Sequence, residues 1–398
     1  MWAVFNYYGD GFCPASSNIF LGVLVSSLII IKGSRKRPVR KKNTLFIDIL
    51  ASMVDYVGHE LMNNIPIIDI SNLESSDAEK RKTVVDSLCR AFHEIGFVAV
   101  QGHGISQSLL GEVRLQVIDL FNRPLEEKLS LTVQQYNYRG YVPTGFFTPN
   151  RVGETSKQQA CDQYEAYKLH YETEPDDPIR KHCSLYGPNK WPKSSHQLKN
   201  VVTNYWYECD RVTQNLLGAI SDYLNLDKGY FQKVFEQPLS NMTLLHYPQV
   251  NSSHDSFGIH PHKDTDVLTI LAPDPVGGLY VRSRDSKEWI AAIAPDDALI
   301  INVGDMLEIW SAGYFVSTPH KVISPQAADR YSFPYFAVPR YDVVVETLNF
   351  DERVMSKRVI QQAAEQRSMH CGDVSKNIWQ SNWPDSQAID ERYDPYIN

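Results

Sequence analysis

A few side chains carry the clearest chemical signature of this chain. In residues 259–269, which read Ile-His-Pro-His-Lys-Asp-Thr-Asp-Val-Leu-Thr, His262 and Asp264 stand two residues apart. On an extended backbone such residues share a face, so an imidazole and a carboxylate can approach one ion together. Alone the pair means little in a chain with 12 His and 47 acidic residues. Its weight comes from His320, 56 residues beyond Asp264, in Ser317-Thr318-Pro319-His320-Lys321-Val322. Two imidazoles and one carboxylate on one face of a metal select octahedral iron(II) and leave positions open for chemistry. Arg330 and Ser332 follow, again two apart. A buried guanidinium beside a hydroxyl is a good receptor for a carboxylate. An arginine unpaired inside a protein would be costly, so Arg330 implies an anionic ligand or an internal acid.

Other titratable residues compete for these roles. His260 has the right parity to be a ligand and is read as a strand-entry residue or a support to the site. Asp266 is a rival carboxylate. His246 should point away from the face used by Tyr247, and His103, in Gln-Gly-His-Gly-Ile, is read as a packed turn histidine rather than a base.

The elements that must hold these groups fall into two styles. Residues 65–70 read as a short strand. Ser76-Asp77-Ala78-Glu79 has capping-box spacing, and Val84, Val85, Leu88, Ala91, Phe92 and Ile95 follow at helical period until Gly96 stops the helix. Residues 97–100 read as a buried strand, and a second helix starts after Ser106. A long helix is expected over 198–224. Beyond about Asn241 the period changes to two, with short runs at 243–247, 267–271, 278–282, 289–293, 298–303, 320–323 and 331–338 separated by turn residues. Many short strands with regular turns imply a sandwich or barrel. The expected organisation is an N-terminal extension (1–62), a helical region (63–235), a β-rich core (236–346), and a C-terminal helix near 351–365 with a polar tail (347–398). Trp379, Trp383 and Tyr393 are candidate anchors in that tail.

With these residues in place, the chain resembles the isopenicillin N synthase-like family of iron(II)/2-oxoglutarate-dependent oxygenases. The likeness runs from about Ile65 to Val345 through IPIIDIS, AFHEIGFVAVQGHGI, HKDTDVLTIL, GGLYV, ALIINVGDMLEIW, STPHKV and RYSFPYFAVP, in the family's order. It implies an α+β protein with a double-stranded β-helix (jelly-roll) core in its C-terminal half, flanked by N-terminal helices. It implies His262, Asp264 and His320 as iron ligands, Arg330 and Ser332 as the seat of the distal carboxylate of 2-oxoglutarate, and Tyr247 reaching the same carboxylate. Tyr138, Tyr141 and Phe336 are implied on the substrate side. One departure stands out: the family often has Asn two residues before that tyrosine, where this chain has Leu245. The implied reaction is oxidation of a small organic metabolite, as in secondary metabolism, with O2 and 2-oxoglutarate, releasing succinate and CO2. Ascorbate is a candidate reductant. The alternatives are an iron oxidase of the same family that does not use 2-oxoglutarate, and a barrel that binds without catalysis.

Bulk properties narrow the partners. The net charge of −8 offers no long basic face for a nucleic acid. Six scattered cysteines without a Cys-x-x-Cys pair argue against a disulfide framework or a structural zinc site, and fit a reducing compartment. An apolar run at 19–31 is followed by the basic stretch 32–42. It is shorter than the ~20 residues of a full span, and its charge lies on the wrong side for a signal peptide. Residues 12–31 are the one place where membrane association is expected, with the basic flank holding the rest on the cytoplasmic side. Otherwise the stretch is an extension outside the fold, with Met53 as an alternative start. A cytoplasmic monomer acting on a small molecule is the expectation.

Overall fold

The computed structural model describes residues 64–134, 137–146, 162–193, 195–227, 229–251, 256–284, 286–348 and 368–382. The apolar and basic N-terminal stretches, Met53, the helix expected near 351–365, Trp383 and Tyr393 fall outside them. No described helix is long and apolar enough to cross a membrane. Cys89, Cys183, Cys209 and Cys371 are buried.

Helical periodicity becomes helix where the sequence places it. Helix α1 (Ala78–Glu94) buries Val85, Leu88, Cys89, Ala91 and Phe92 along one stripe. Its cap is Asp77, whose carboxylate accepts from the N–H groups of Glu79 and Lys80, one residue later than the capping-box spacing suggested. Gly96 ends the segment in the left-handed region, at φ +76°, and its N–H donates to Ala91 O at 3.0 Å. A Cβ at Gly96 would run into the Val316 carbonyl. Helix α2 (Gln107–Phe121) is capped by the Ser106 hydroxyl. Helix α3 (Leu125–Leu129) follows. Helix α4 (His196–Leu224) is the long element expected, ending on Asn225 at φ 53°, and α5 (Tyr230–Val234) leads into the strands.

The strands are β1 (Ile67–Asp69), β2 (Phe97–Gln101), β3 (Gly140–Val142), β4 (Glu165–His170), β5 (Asn241–Tyr247), β6 (Phe257–His262), β7 (Leu268–Leu271), β8 (Leu279–Arg282), β9 (Trp289–Ala291), β10 (Leu299–Val303), β11 (His320–Ile323), β12 (Arg330–Ser332), β13 (Tyr335–Ala337), β14 (Val344–Val345) and β15 (Met369–His370). Short helices α6 (Asp305–Trp310) and α7 (Cys371–Asn382) complete the set. A large sheet runs β1-β2-β10-β7-β13-β5-β4-β3, with β12 also on β5, and a small one runs β6-β11-β8-β9. Only β1 and β2 pair in parallel within the large sheet, across the α1 connection. The protein is therefore mixed α and β.

Three expectations change here. The N-terminal half adds β3 and β4 to the strands expected at 65–70 and 97–100, and all four extend the same sheet that the C-terminal half builds. The run expected at 331–338 is two strands broken at Phe333-Pro334, because Pro334 has no N–H to keep the ladder going. The tail expected to be polar carries a helix, α7, which buries Cys371 at its start.

Gly96→Ala should cost about 2 kcal/mol or more, because it combines a left-handed backbone with a steric clash. Urea unfolding followed by circular dichroism measures this, and an unchanged midpoint would show that the turn relaxes freely.

Candidate active site

Strand pairing assembles the three metal-type donors. His320 at the start of β11 lies directly across from His262 at the end of β6, and their ring centroids are 4.3 Å apart. Asp264 follows two residues on. Its Oδ1 is 3.7 Å from Nε2 of each histidine, and one ligand atom from each residue lies within 4.8 Å of the others. Each imidazole is oriented from behind. The His262 Nδ1–H donates to the His260 carbonyl at 2.7 Å and the His320 Nδ1–H to the Thr318 carbonyl at 3.2 Å. That tautomer leaves both Nε2 lone pairs directed at the centre. Asp264 Oδ2 accepts from the Thr269 hydroxyl at 2.6 Å and from Asn302 Nδ2 at 2.8 Å, so Oδ1 is the oxygen left for a ligand.

The electrostatics favour the ligand-competent protonation states. Burial alone would raise the Asp264 carboxyl. The His320 and His262 imidazoles, with the Thr269 and Asn302 hydrogen bonds, outweigh it and hold the group below the usual carboxylate range. Burial depresses His320, against the pull of Asp264, and so favours the neutral ring. Asp266, the rival carboxylate, lies outside the trio. Burial and the Asp264 charge push its carboxyl well up. Its Oδ2 sits 2.9 Å from the Thr269 hydroxyl.

One acid ties the two ligand-bearing segments together. Lys263 turns away from the centre to Glu308 Oε2 (2.9 Å) and Asp305 Oδ1 (3.1 Å) on α6. The other Glu308 oxygen accepts from the Ser317 N–H at 3.0 Å, three residues before His320. The backbone closes the same junction, with Asp305 N–H on the Asp264 carbonyl at 2.8 Å.

The register of β12 on β5 places Arg330 opposite Tyr247 and Ser332 opposite Leu245. Directly opposed residues share a face, so Arg330 and Ser332 point with Leu245, Thr243 and Asn241 of β5. Arg330 is buried. Its Nε donates to the Gly277 carbonyl at 2.7 Å, its guanidinium lies 4.7 Å from the centre of the Tyr247 ring, and its Nη1 is buried without a hydrogen-bond partner among the described residues. Gly258 on β6 permits this packing, because a Cβ there would come within 2.7 Å of the Tyr247 ring.

A cavity of about 480 Å3 opens beside the trio and is walled by Leu245, Ile259, Met306, Phe336, Val374 and Ile378, among others. Tyr138 and Phe336 line it as expected. Tyr141 does not. β3 pairs Tyr141 with Tyr167 on β4, on the opposite face, where its hydroxyl donates to Glu165 Oε2 at 2.6 Å. Lys128 and His246 meet the same Glu165 at 2.8 and 2.7 Å, so His246 is structural, as its parity suggested. His103 is likewise a turn residue: its two ring nitrogens meet the Asp297 carbonyl and the Ile105 N–H at 3.0 and 3.1 Å. His260 lines the cavity and pairs with Asp162 at 2.5 Å.

Several residues at the site escaped the sequence reading. Thr269 and Asn302 orient Asp264; each is the lone polar residue of an apolar strand, LTIL and LIINV, which is a usable signal. Lys168 and His170, with Asp162 and Tyr164 just before β4, line the cavity. Burial lowers Lys168 to about 8, while the Asp264 charge favours its cationic form.

Comparison with known proteins follows the same lines. Residues 65–194 match the model of the non-haem dioxygenase N-terminal region named for morphine synthesis, and residues 238–339 that of the 2OG-Fe(II) oxygenase superfamily. The chain is similar to a homoarginine-6-hydroxylase of Arabidopsis thaliana, 32% identical over 315 residues, covering 75% of this chain and 84% of that one. It is also similar to azadirone synthase of Melia azedarach, 32% identical over 304 residues, covering 73% and 86%. Among solved structures, a full-length Neurospora crassa protein in complex with alpha-KG matches with a TM-score of 0.66 and 25% identity, covering 79% of this chain and 95% of that one. The chain belongs to the 2OG-Fe(II) oxygenase superfamily. It is a dioxygenase that depends on iron(II) and 2-oxoglutarate and oxidises a small organic molecule.

Asn302→Leu leaves Asp264 Oδ2 with one donor fewer, so iron(II) affinity should fall about 10- to 100-fold. Competition against a chelator measures it, and an unaltered affinity would show that Thr269 alone orients the carboxylate.

Proposed function

We propose that His262, Asp264 and His320 hold a single iron(II) ion, and that Arg330 and Ser332 receive the distal carboxylate of 2-oxoglutarate beside Tyr247. The observation that carries this reading is the convergence of three donors on one point, each with its non-ligating atom already engaged by the protein. The donor set suits the metal: two neutral imidazoles and an ionised carboxylate from one side leave the opposite side open. The co-substrate assignment rests on the buried Arg330 guanidinium, whose Nη1 lacks a partner among the described residues. Leu245 removes a polar neighbour from Ser332 but leaves that cation, and a buried cation calls for an anion. In this reading the two sheets form the double-stranded β-helix, with β6 and β11 of one sheet facing β5, β7 and β10 of the other.

Bound iron(II) supplies the redox chemistry that couples 2-oxoglutarate and O2 consumption to oxidation of a substrate C–H bond. The chain's own part is positional. Asp264 and the two histidines fix one side of the metal. Arg330 grips the co-substrate from the far end and sets its register on the metal. Leu245, Phe336 and Ile259 exclude water from the space where the substrate's reacting carbon lies. Whether the outcome is hydroxylation, desaturation or ring closure depends on how those walls hold the substrate.

His320→Ala should abolish iron binding while the protein stays folded; normal iron content in a folded variant would remove His320 from the site. Arg330→Lys keeps the charge and loses the planar fork, so 2-oxoglutarate affinity should fall roughly tenfold with iron retained. Anaerobic titration of the iron(II) protein with 2-oxoglutarate, read through the metal-to-ligand charge-transfer band, measures this. Equal affinity in the variant and the parent would refute the role.

A further inference from the structure

The inner face of the large sheet carries a second cation that the reaction as described does not use. Lys168 on β4 lies opposite Thr243 on β5, and its ammonium donates to the Thr243 hydroxyl at 3.0 Å. On its other flank it faces Gly140 of β3. The Tyr138 ring centre is 5.9 Å from the ammonium, close enough for its π-face to favour the cation. Thr243, Lys168 and Tyr138 all line the cavity.

Strand geometry separates this cation from Arg330. Thr243 and Tyr247 are four residues apart on one strand, a distance of roughly 13 Å. Arg330 pairs with Tyr247 and Lys168 with Thr243, from opposite sides of β5. The carboxylate carbons of a five-carbon diacid are about 5 Å apart when extended. 2-Oxoglutarate seated on Arg330 therefore belongs to the Tyr247 end of β5, and Lys168 to the Thr243 end. On β5 only Leu245 stands between the two cations on this face; past Thr243, Phe336 faces Asn241, and Phe336, Val338, Val374 and Ile378 give the cavity its apolar lining.

We infer that Lys168, seated on Thr243, anchors an acidic group of the substrate, so that the enzyme takes small metabolites with a carboxylate at one end and an apolar body. This rests on the reading of Arg330 as the co-substrate anchor. The ammonium fixes one end of the substrate, the apolar walls hold its body, and the carbon presented to the metal is set by its distance from the carboxylate. Lys168 is thus a specificity-determining residue.

The test is calorimetric titration of the full chain loaded with manganese(II) and N-oxalylglycine, which fill the metal and Arg330 end without turnover. The titrants are C6 to C12 monocarboxylic acids and their primary amides. In the parent protein at least one acid should bind about tenfold more tightly than its amide, the scale of a charge-assisted hydrogen bond. Lys168→Met should erase that difference, Lys168→Arg should keep it, and N-oxalylglycine affinity should be unchanged in both. If Lys168→Met does not fold, Thr243→Val replaces it, with a smaller loss of acid preference expected. The inference is overturned if acids and amides bind alike, if no acid binds, if the preference survives Lys168→Met (or, where that variant does not fold, stays at its full parental size in Thr243→Val), or if Lys168→Met weakens N-oxalylglycine instead. Failure of the co-substrate reading shows separately, as N-oxalylglycine binding that Arg330→Lys leaves intact.

Discussion

Everything at the site depends on the register between β6 and β11. His262 and His320 face each other across that pair, and side chains alternate faces with each residue, so a slip of one position would send one imidazole to the far side of the sheet. The register shifts that follow between His320, Val322 and Ile323 leave the His320–His262 match itself in place. The rest of the site serves this constraint. Carbonyls of His260 and Thr318 set the rings, while β7 and β10 deliver Thr269 and Asn302 to the back of Asp264.

The large sheet has a division of labour that follows from the same period of two. Its inner face gathers Arg330, Ser332, Thr243 and Lys168 from β12, β5 and β4. The reverse face of the same strands holds Glu165, His246 and Tyr141, with Lys128 from α3, in a closed polar cluster. That cluster looks functional by composition, but its groups converge on Glu165, with His246 Nε2 turned to Asp329 at 3.1 Å. Position relative to the sheet separates the cavity-facing groups from this cluster; chemical type does not.

The convergence of His262, Asp264 and His320 was legible in the sequence because a metal-type donor set demands fixed residue types at same-face spacing, and the shared face of Arg330 and Ser332 was legible from the period of two. The periodic helices were legible too, down to the Ser106 cap and the Gly96 stop. β4 was not. Its residues Glu-Ala-Tyr-Lys-Leu-His are covered on both faces, so no alternation of polar and apolar types marks it, and Lys168 reads as any surface lysine. Tyr141 was expected on the substrate side, and its place on the reverse face follows from the pairing of β3 with β4, which no local pattern reveals. The cap of α1 moved by one residue because Ser76 and Asp77 are both competent acceptors, and only the backbone turn chooses between them.

Glu308 joins the segment bearing His262 and Asp264 to the segment bearing His320, through Lys263 on one oxygen and the Ser317 amide on the other. Both contacts are made by protein atoms alone, so the fold itself, before any ion arrives, meets the entropic expense of bringing two distant stretches of chain together. The donor trio is thus held together by the fold and not by a metal, in contrast to small zinc modules that collapse once stripped.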